Sequence, residues 1–574
     1  MKEKSSAIIQ FFGHTQPYAS ESGKVEFRFN SSVLYLKQYF EMYGENPDVK
    51  WLPADIIMHK TVDSVVSDLD PTTTIVGLAI FIWNEDYQYE VAKKIKEKYN
   101  HMVVVAGGPS VDVHRNDQYF IKHPYIDYAV FGDGEEAFRQ IIDYETGYLT
   151  DQSGFVNIGV NTSTCENNLK LFEFKRMTDD KFFEKSIYLE QTDYVDLILK
   201  RFKEATGNQE QLFIFHTDYS RGCPYKCTFC DWNSGLHTKV KRFKKPWKDE
   251  LDYFKKMDYA VQNIDANFGQ WEEDIDIIEY AASLYDPNKN FRFIVENLPK
   301  LRKENQIKVI NILAKVFKSE IVLSYQDLNP TVLEAIDRPS LSWSDQLDII
   351  NKVREANPDA SFSPGLILGL PEQTFDIVIE NIVKFAVEGK LYHRLYQNLL
   401  HFLPNSPMAD PFYLRLHGLE FRKTFTVNTP KILRGEDSLL IPKSKDFNNF
   451  YRDISLKKGK YFHYFVHSTM IYKTRKMSRE DIVSILVIGN MLENYCKTFD
   501  ITKVKDFEKL LFSFIPKAKD YAKRIVKNDE TYYDKYGVIF NFPIEEVDQG
   551  YKLHPGYIFR KNILNLQNNF GDIF

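Results

Sequence analysis

Two apolar runs without polar alternation, Thr74–Trp83 (TIVGLAIFIW) and Met102–Ala106 (MVVVA), set the first constraint on this chain. A strand that is apolar on both faces must be covered on both, which is the place of an inner strand in a parallel sheet flanked by helices. The surrounding pattern agrees. Ala7–Phe12, Val49–Ile57 and Tyr125–Phe131 read as further strands, and Ser32–Met42, Val62–Leu69, Glu85–Tyr99 and Glu135–Tyr144 carry helical spacing. Alternating units of this kind predict an α/β, doubly wound, Rossmann-like domain over residues 1–148 with right-handed crossovers. Gly107–Gly108 and Gly132–Asp133–Gly134 fall at the carboxyl ends of successive strands, where open α/β sheets bind ligands. Glycine there lets a ring or phosphate approach the backbone, although any one of them can equally be a plain turn residue.

Composition narrows the class. The 574 residues are 43% hydrophobic and 27% charged, with a net charge of −6. That is an ordinary globular balance, and an acidic sum argues against a broad nucleic-acid footprint. No apolar run reaches the roughly 20 residues that cross a bilayer. The apolar stretch after the basic start is too short and too soon broken for a signal peptide, so a cytoplasmic protein is expected.

Three of the five cysteines, Cys223, Cys227 and Cys230, stand in the segment RGCPYKCTFCDW with C-x3-C-x2-C spacing. Three thiolates on one tight loop form a ligand set for an iron–sulfur cluster or for zinc. Structural zinc usually closes its shell with a second pair of ligands, and neither His216 nor His237 has finger spacing. Three ligands leave a metal position open, as chemistry at the metal requires. Cys165 and Cys496 are remote and read as ordinary buried residues. The loop follows the strand pattern Gln211–His216 and precedes a Lys- and aromatic-rich helix, Pro246–Lys256. Ligands after a first strand fit a barrel with its chemistry at the carboxyl edge.

With an aromatic residue, Phe229, before the last cysteine, this segment resembles the radical SAM superfamily. The resemblance implies a [4Fe–4S] cluster on Cys223, Cys227 and Cys230, with S-adenosylmethionine on the open iron and Phe229 against the adenine. Further segments extend it in order. Ala260–Gly269 ends in Asp265, Asn267 and Gly269 where the family has a G-G-E-like turn; Phe291–Glu296 is a third strand and Ile321–Leu328 a fourth. Gly365–Glu372 (GLILGLPE) fits the pattern G-x-I-x-G-x-x-E, and Tyr396–Pro407 resembles the sixth strand and its loop. It implies SAM contacts at Gly269, Ser324, Gln326, Gly365 and Glu372, and a partial (β/α)6 barrel over residues 206–415.

Upstream, VVVAGGPS followed by DYAVFGDGEEAF resembles the cobalamin-binding domains fused to such barrels, which implies corrin contacts at Trp83, Asn84, Gly107, Gly108, Gly132 and Gly134. Asp112–Val113–His114 matches half of a D-x-H-x-x-G motif, but it follows the fourth strand pattern and has Asp117 in place of the glycine, so the match reads as chance. His14 reads as a surface residue.

Residues 149–205 read as a connector, and 416–574 as a mainly helical C-terminal domain with helices near Arg479–Phe499 and Val504–Lys527, expected to wall or cover the barrel mouth. The basic and aromatic stretch 457–467 reads as a solvated face over an aromatic core. The family implies a C-methyltransferase acting on a small molecule or peptide, with cobalamin as methyl carrier and flavodoxin or ferredoxin as electron donor. Non-methylating rearrangement or cyclisation, tRNA modification and a non-catalytic metal-binding module are the alternatives. No general acid or base is identifiable. The 15% aromatic content is left without an account.

Overall fold

A computed structural model describes the chain except residues 1–2, 14–16, 20–24, 57–61, 207–210, 234–235, 237–238, 392–393, 428–438, 443–464, 499–503, 505, 537–538, 541–543, 548–549 and 554–574. His14, His237 and nearly all of 457–467 lie outside the described residues.

The expected doubly wound sheet is present. Strands Tyr128–Val130, Val103–Gly107, Ile75–Ala79, Ala7–Gly13 and Val49–Trp51 lie side by side and parallel. The two runs apolar on both faces occupy inner positions, as their sequence requires. The sheet does not stop at residue 148. Ile158–Asn161 adds antiparallel to Tyr128–Val130, and Leu169–Leu171 adds antiparallel to that. Part of the expected connector is therefore sheet.

The barrel is built from two hydrogen-bonded groups of parallel strands. Gln211–Thr217, Ala260–Asn263 and Phe293–Val295 form one; Ile321–Gln326, Phe362–Leu368 and Tyr396–Leu399 form the other. The first group gains a strand from the opposite end of the sequence. Val25–Phe29 pairs parallel with Gln211–Phe215, with Pro17–Ala19 antiparallel at its outer edge. Pro17–Ala19 and Val25–Phe29, expected in the first domain, thus belong to the second sheet.

An aromatic seam holds this addition. Phe29 stacks on Phe215 with centroids 4.8 Å apart, and Phe27 lies 4.1 Å from Phe202 and 5.8 Å from Phe213. Tyr188 and Phe254 close the group from the helical side. Rings of this size remove 150–250 Å² each from water, so part of the high aromatic content cements the two halves together.

The C-terminal region is not a detachable cover. Strand Phe465–Lys473 pairs antiparallel with Glu420–Val427 and also bonds the chain just beyond the sixth barrel strand, with Ile471 N–H to Leu400 O at 2.8 Å and Phe402 N–H to Thr469 O at 2.8 Å. Helices Arg479–Thr498 and Phe507–Tyr536 pack on each other and on the barrel helix Phe375–Val387. The larger apolar core runs through all three regions, from Ile9 through Phe215 and Phe385 to Phe514; a smaller one, with Val76 and Val104, fills the other face of the first sheet. Among the described residues no helix is long and apolar enough to cross a membrane.

Candidate functional site

A cavity of about 390 Å³ opens at the carboxyl edge of the first sheet, and its far wall is the second sheet. Gly77, Ala79, Gly107, Gly108, Gly132 and Gly134 line the near side; Phe27, Phe29, Asn30, Ser31, Arg221, Trp232 and Ile264 line the far side. A Cβ at Gly107 would meet nothing closer than 3.8 Å, so it would fill cavity space. Gly108 (φ +116°) and Gly132 (φ +68°) are required by the backbone itself. Trp83 and Asn84 do not line the cavity. Trp83 stacks on Phe81 at 4.7 Å and is 39% exposed. The Asn84 side chain is used in its own turn, accepting from Phe81 N–H at 2.7 Å and donating to Ala79 O at 2.9 Å. It is Phe81 and Ala79 that reach the cavity. His114 is also off the cavity, stacked 4.9 Å from Phe131, and burial pushes its imidazole down to about 4.

One pole of this cavity is charged. Arg221 faces Glu135 at 2.7 Å, Asp133 at 3.5 Å and Asp218 at 3.6 Å, under the rings of Tyr35, Phe183 and Phe243. Burial raises the Glu135 carboxyl, Arg221 pulls it back and Asp133 pushes it up again. Burial and then Asp218, to which its hydroxyl donates, hold the Tyr35 phenol well above its usual range. Because Arg221 stands two residues before Cys223, this cluster ties the cysteine loop to the edge of the first sheet.

The loop itself is pinned from several sides. Buried Asp265 accepts from Tyr219 N–H and Ser220 N–H, both at 2.9 Å, and burial lifts its carboxyl to about 7. Thr228 N–H donates to Ile336 O at 2.9 Å, and Met408 N–H donates to Thr228 O at 2.9 Å. Cys223, Cys227 and Cys230 all line one pocket of about 160 Å³. Among the described residues no three His, Cys, Asp or Glu side chains gather closely enough to hold a single ion. Donors converge on the sulfurs: Asn267 Nδ2 to Cys223 Sγ at 3.2 Å, Lys300 Nζ to Cys227 Sγ at 3.3 Å, and Arg338 Nη1 to the same sulfur at 4.0 Å. Burial, above all, pushes the Cys230 thiol up to about 11, with the Trp232 N–H and Lys300 pulling it down. Thiolate charge needs such partners or a metal, and N–H donors on the ligand sulfurs are among the features that set a cluster's potential. Cys165 and Cys496 stand apart from this pocket, as expected.

Ser324 and Gln326 line both the cysteine pocket and a cavity of about 330 Å³ inside the barrel, with Phe229 shared between them. Gly365, Tyr396, Asn398 and His401 complete the barrel cavity. Gln326 sits at φ +66°, where the strand breaks register against its neighbour. Two expected contacts lie elsewhere. Gly269 donates its N–H to Asp274 Oδ2 and accepts from Asn305 at its carbonyl, both at 2.9 Å, so its backbone is spent; Ala266 lines the pocket instead. Glu372 is drawn to the C-terminal region by Lys476 at 2.5 Å and His417 at 3.7 Å, and Lys476 holds its carboxyl below the usual range.

Several residues at the site were not singled out from sequence. Trp232 lines both the first cavity and the cysteine pocket, and Phe229 lines both that pocket and the barrel cavity, so each cavity adjoins the next. An aromatic two places after the last cysteine was a visible signal. Lys300, Arg338 and His401 carried none. The loop after the sixth strand is also a latch: Asn405 Nδ2 donates to Pro109 O at 2.7 Å and Val111 O at 3.1 Å, and Arg115 Nη1 donates to Ser406 O at 3.1 Å. It joins the barrel cavity, through Leu403, to the glycine edge of the first sheet.

Residues 29–142 match the family described as B12 binding domain, and residues 218–385 match the Radical SAM superfamily. The chain is 30% identical over 356 residues to the cobalamin-dependent radical SAM methyltransferase TokK of Streptomyces tokunonensis, a match covering 60% of this chain and 49% of that protein. It is 28% identical over 354 residues to the 2-(S-pantetheinyl)-carbapenam-3-carboxylate methyltransferase of Streptantibioticus cattleyicolor, with the same shares of 60% and 49%. The matched part thus spans about half the length of these relatives. In fold, the chain is similar to the cobalamin-dependent S-adenosylmethionine radical enzyme OxsB with aqua-cobalamin bound: TM-score 0.53 at 13% identity, covering 98% of this chain and 75% of that one.

Proposed function

The chain belongs to the cobalamin-dependent radical SAM family, and from that premise we propose that it methylates a carbon atom of a small molecule. The observation that carries the reading is the adjacency of three cavities, a glycine-edged one, a three-cysteine one and a barrel interior: the first two share the wall residue Trp232, and the last two share Phe229, Val322, Ser324 and Gln326. A substrate in the barrel interior would lie beside the cysteine pocket, which in turn adjoins the glycine-edged cavity.

The donor sets fit the cofactors. Cys223, Cys227 and Cys230 would hold a [4Fe–4S] cluster, Ser324, Gln326, Gly365 and Phe229 would contact S-adenosylmethionine, and the cavity edged by Gly107, Gly108, Gly132 and Gly134 would take the corrin. When bound, the cluster supplies the electron that cleaves S-adenosylmethionine to a hydrogen-abstracting radical, and cobalamin carries the methyl group. The protein's part is to position and to exclude. Lys300 and Asn267 donate to the cluster sulfurs and keep their charge tolerable in a buried pocket. Asn405 and Arg115 fix the glycine edge relative to the barrel. The C-terminal strand Phe465–Lys473 closes the barrel beyond its sixth strand and keeps water from the reactive space. His401, in that cavity with its Nδ1 unpartnered and its pKa pushed down by burial to about 4, is neutral and offers a polar contact to substrate. A one-electron donor such as flavodoxin or ferredoxin completes the scheme, docking near the exposed Lys226 and Arg302, in the cytoplasm.

The test is incubation of the anaerobically reconstituted protein with methyl-deuterated S-adenosylmethionine and an extract of the source cells. A product heavier by a labelled methyl group supports the reading. A product made with deoxyadenosine release but without label would make the enzyme a rearrangement or cyclisation catalyst instead.

A further inference from the structure

The charged pole of the glycine-edged cavity holds an atom that nothing in the fold satisfies. Glu135 is buried, at 3% exposure, and lines the cavity. Its Oε1 faces Arg221 Nη1 at 2.7 Å, but its Oε2 has no hydrogen-bond partner. The donors of the neighbouring residues are committed, while Glu135's own backbone N–H favours the charged form of its carboxyl. Met177 N–H serves Asp133 Oδ2 at 2.8 Å, the Tyr35 hydroxyl serves Asp218, and Arg221 is shared among three carboxyls. A buried carboxyl oxygen without a partner is costly, and buried polar atoms in native proteins almost always find one. Oε2 faces a cavity whose occupant can supply the missing partner, and the rest of the near wall (Gly77, Leu78, Val105, Val130, Phe138) asks for an apolar body behind that polar group.

We propose that Glu135 Oε2 is the recognition point for a peripheral carboxamide of the corrin, and that the cavity thereby selects amidated corrins over corrins bearing free carboxylates. This rests on the assignment of the cavity to B12. A primary carboxamide suits the site in either protonation state, because its N–H donates to a carboxylate and its C=O accepts from a carboxylic acid. A ligand carboxylate would instead meet Glu135, Asp133 and Asp218, three acidic groups against the guanidinium of Arg221, with Arg176 beside Asp133 as a second cation. The like charges make the mismatch repulsive as well as unsatisfied.

The experiment titrates the full-length, anaerobically reconstituted protein at pH 8 with hydroxocobalamin, with dicyanocobinamide, whose periphery carries carboxamides, and with dicyanocobyrinic acid, whose periphery carries carboxylates. Bound corrin is followed by its visible absorbance after gel filtration. Cobinamide is expected to bind at least about tenfold more tightly than cobyrinic acid. In Glu135→Gln, whose own amide can donate to a carboxylate, that ratio is expected to shrink by about threefold or more. Equal affinity of the wild type for the two corrins, or a ratio unchanged by Glu135→Gln, overturns the proposal; the wild-type comparison stands even if the variant does not fold. Failure of the wild type to bind hydroxocobalamin at all overturns the B12 assignment itself and the proposal with it.

Discussion

Replacing Asn405 by Asp tests the latch between the two cofactor regions with almost no change in volume. The Asn405 amide donates to two carbonyls, Pro109 O at 2.7 Å and Val111 O at 3.1 Å, at a position only 7% exposed. Aspartate removes both donors and sets an oxygen against two carbonyl oxygens. Each buried carbonyl left without its partner costs roughly 1–3 kcal/mol, so losing both weakens local docking by about 2–6 kcal/mol. Arg115 still holds Ser406 O at 3.1 Å, so the expected result is a loosened loop and not an unfolded chain. The readout is amide hydrogen exchange of the reconstituted protein. Val111 N–H, bonded to Gly108 O, and Ser406 N–H, bonded to Leu403 O, are the reporters. A loss of about 3 kcal/mol speeds their exchange by roughly a hundredfold, with peptides from the Arg479–Thr498 helix unchanged. If exchange at 105–115 and 400–410 matches the wild type, the latch does not hold these regions together and the reasoning fails. Asn405→Ala, which leaves no opposing oxygen, is expected to give the smaller effect of the two.

Other consequences can be measured separately. Burial holds His216 and His401 near a pKa of about 4 in the folded chain, against about 6.5 unfolded. The unfolded state then takes up protons first on acidification, so stability is full above pH 6.5 and falls between about 6.5 and 4, by up to about 1.4 kcal/mol per pH unit per histidine. Thermal midpoints should drop over that window, and less steeply in His401→Asn; identical slopes would count against the assignment. Lys300→Met removes a cation and an N–H donor from Cys227 Sγ and is expected to lower the cluster potential by about 60 mV for each 1.4 kcal/mol lost, read by EPR-monitored redox titration. An unchanged potential would show that Lys300 does not act on the cluster. Gly108→Ala places a Cβ 2.5 Å from Ile80 O at φ +116°, whereas Gly107→Ala meets nothing within 3.8 Å. The first should lower the melting temperature, with a backbone penalty of about 1–2 kcal/mol. The second should leave it unchanged while weakening corrin binding, and a swap of these outcomes would contradict the cavity description.

What the sequence made legible follows from the range of the forces involved. The strands Ile75–Ala79 and Val103–Gly107 declared themselves because burial on both faces leaves a continuous apolar run. The cysteine loop did so because a cluster needs three ligands on one short segment. Pairing of Val25–Phe29 with Gln211–Phe215 left no such mark. The seam of Phe27, Phe29, Phe202, Phe213 and Phe215 that drives it is drawn from three distant segments, and no local period encodes their meeting. Ile158–Asn161 and Leu169–Leu171 are short strands at the end of the sheet with polar residues between them, which is why they read as a connector. Glu372 matched a sequence pattern, yet its side chain follows the nearest cations, Lys476 and His417, supplied by a region with no recognisable pattern. Asn84 spends its side chain on its own turn, and Gly269 spends its backbone on Asp274 and Asn305. Trp83 points away to stack on Phe81. Lys300, Arg338 and Glu135 could not be found in advance, because a donor on a sulfur or an oxygen without a partner exists only once the chain is folded.

The central claim, that adjoining cavities in one chain serve a corrin and a SAM-binding iron–sulfur cluster, is tested most directly by the stoichiometry of the anaerobically reconstituted protein. The account predicts about four irons per chain, as a [4Fe–4S] cluster requires, together with one tightly bound corrin and release of 5′-deoxyadenosine when S-adenosylmethionine and a reductant are added. Zinc without iron, or a full cluster in a protein that retains no corrin, would contradict it.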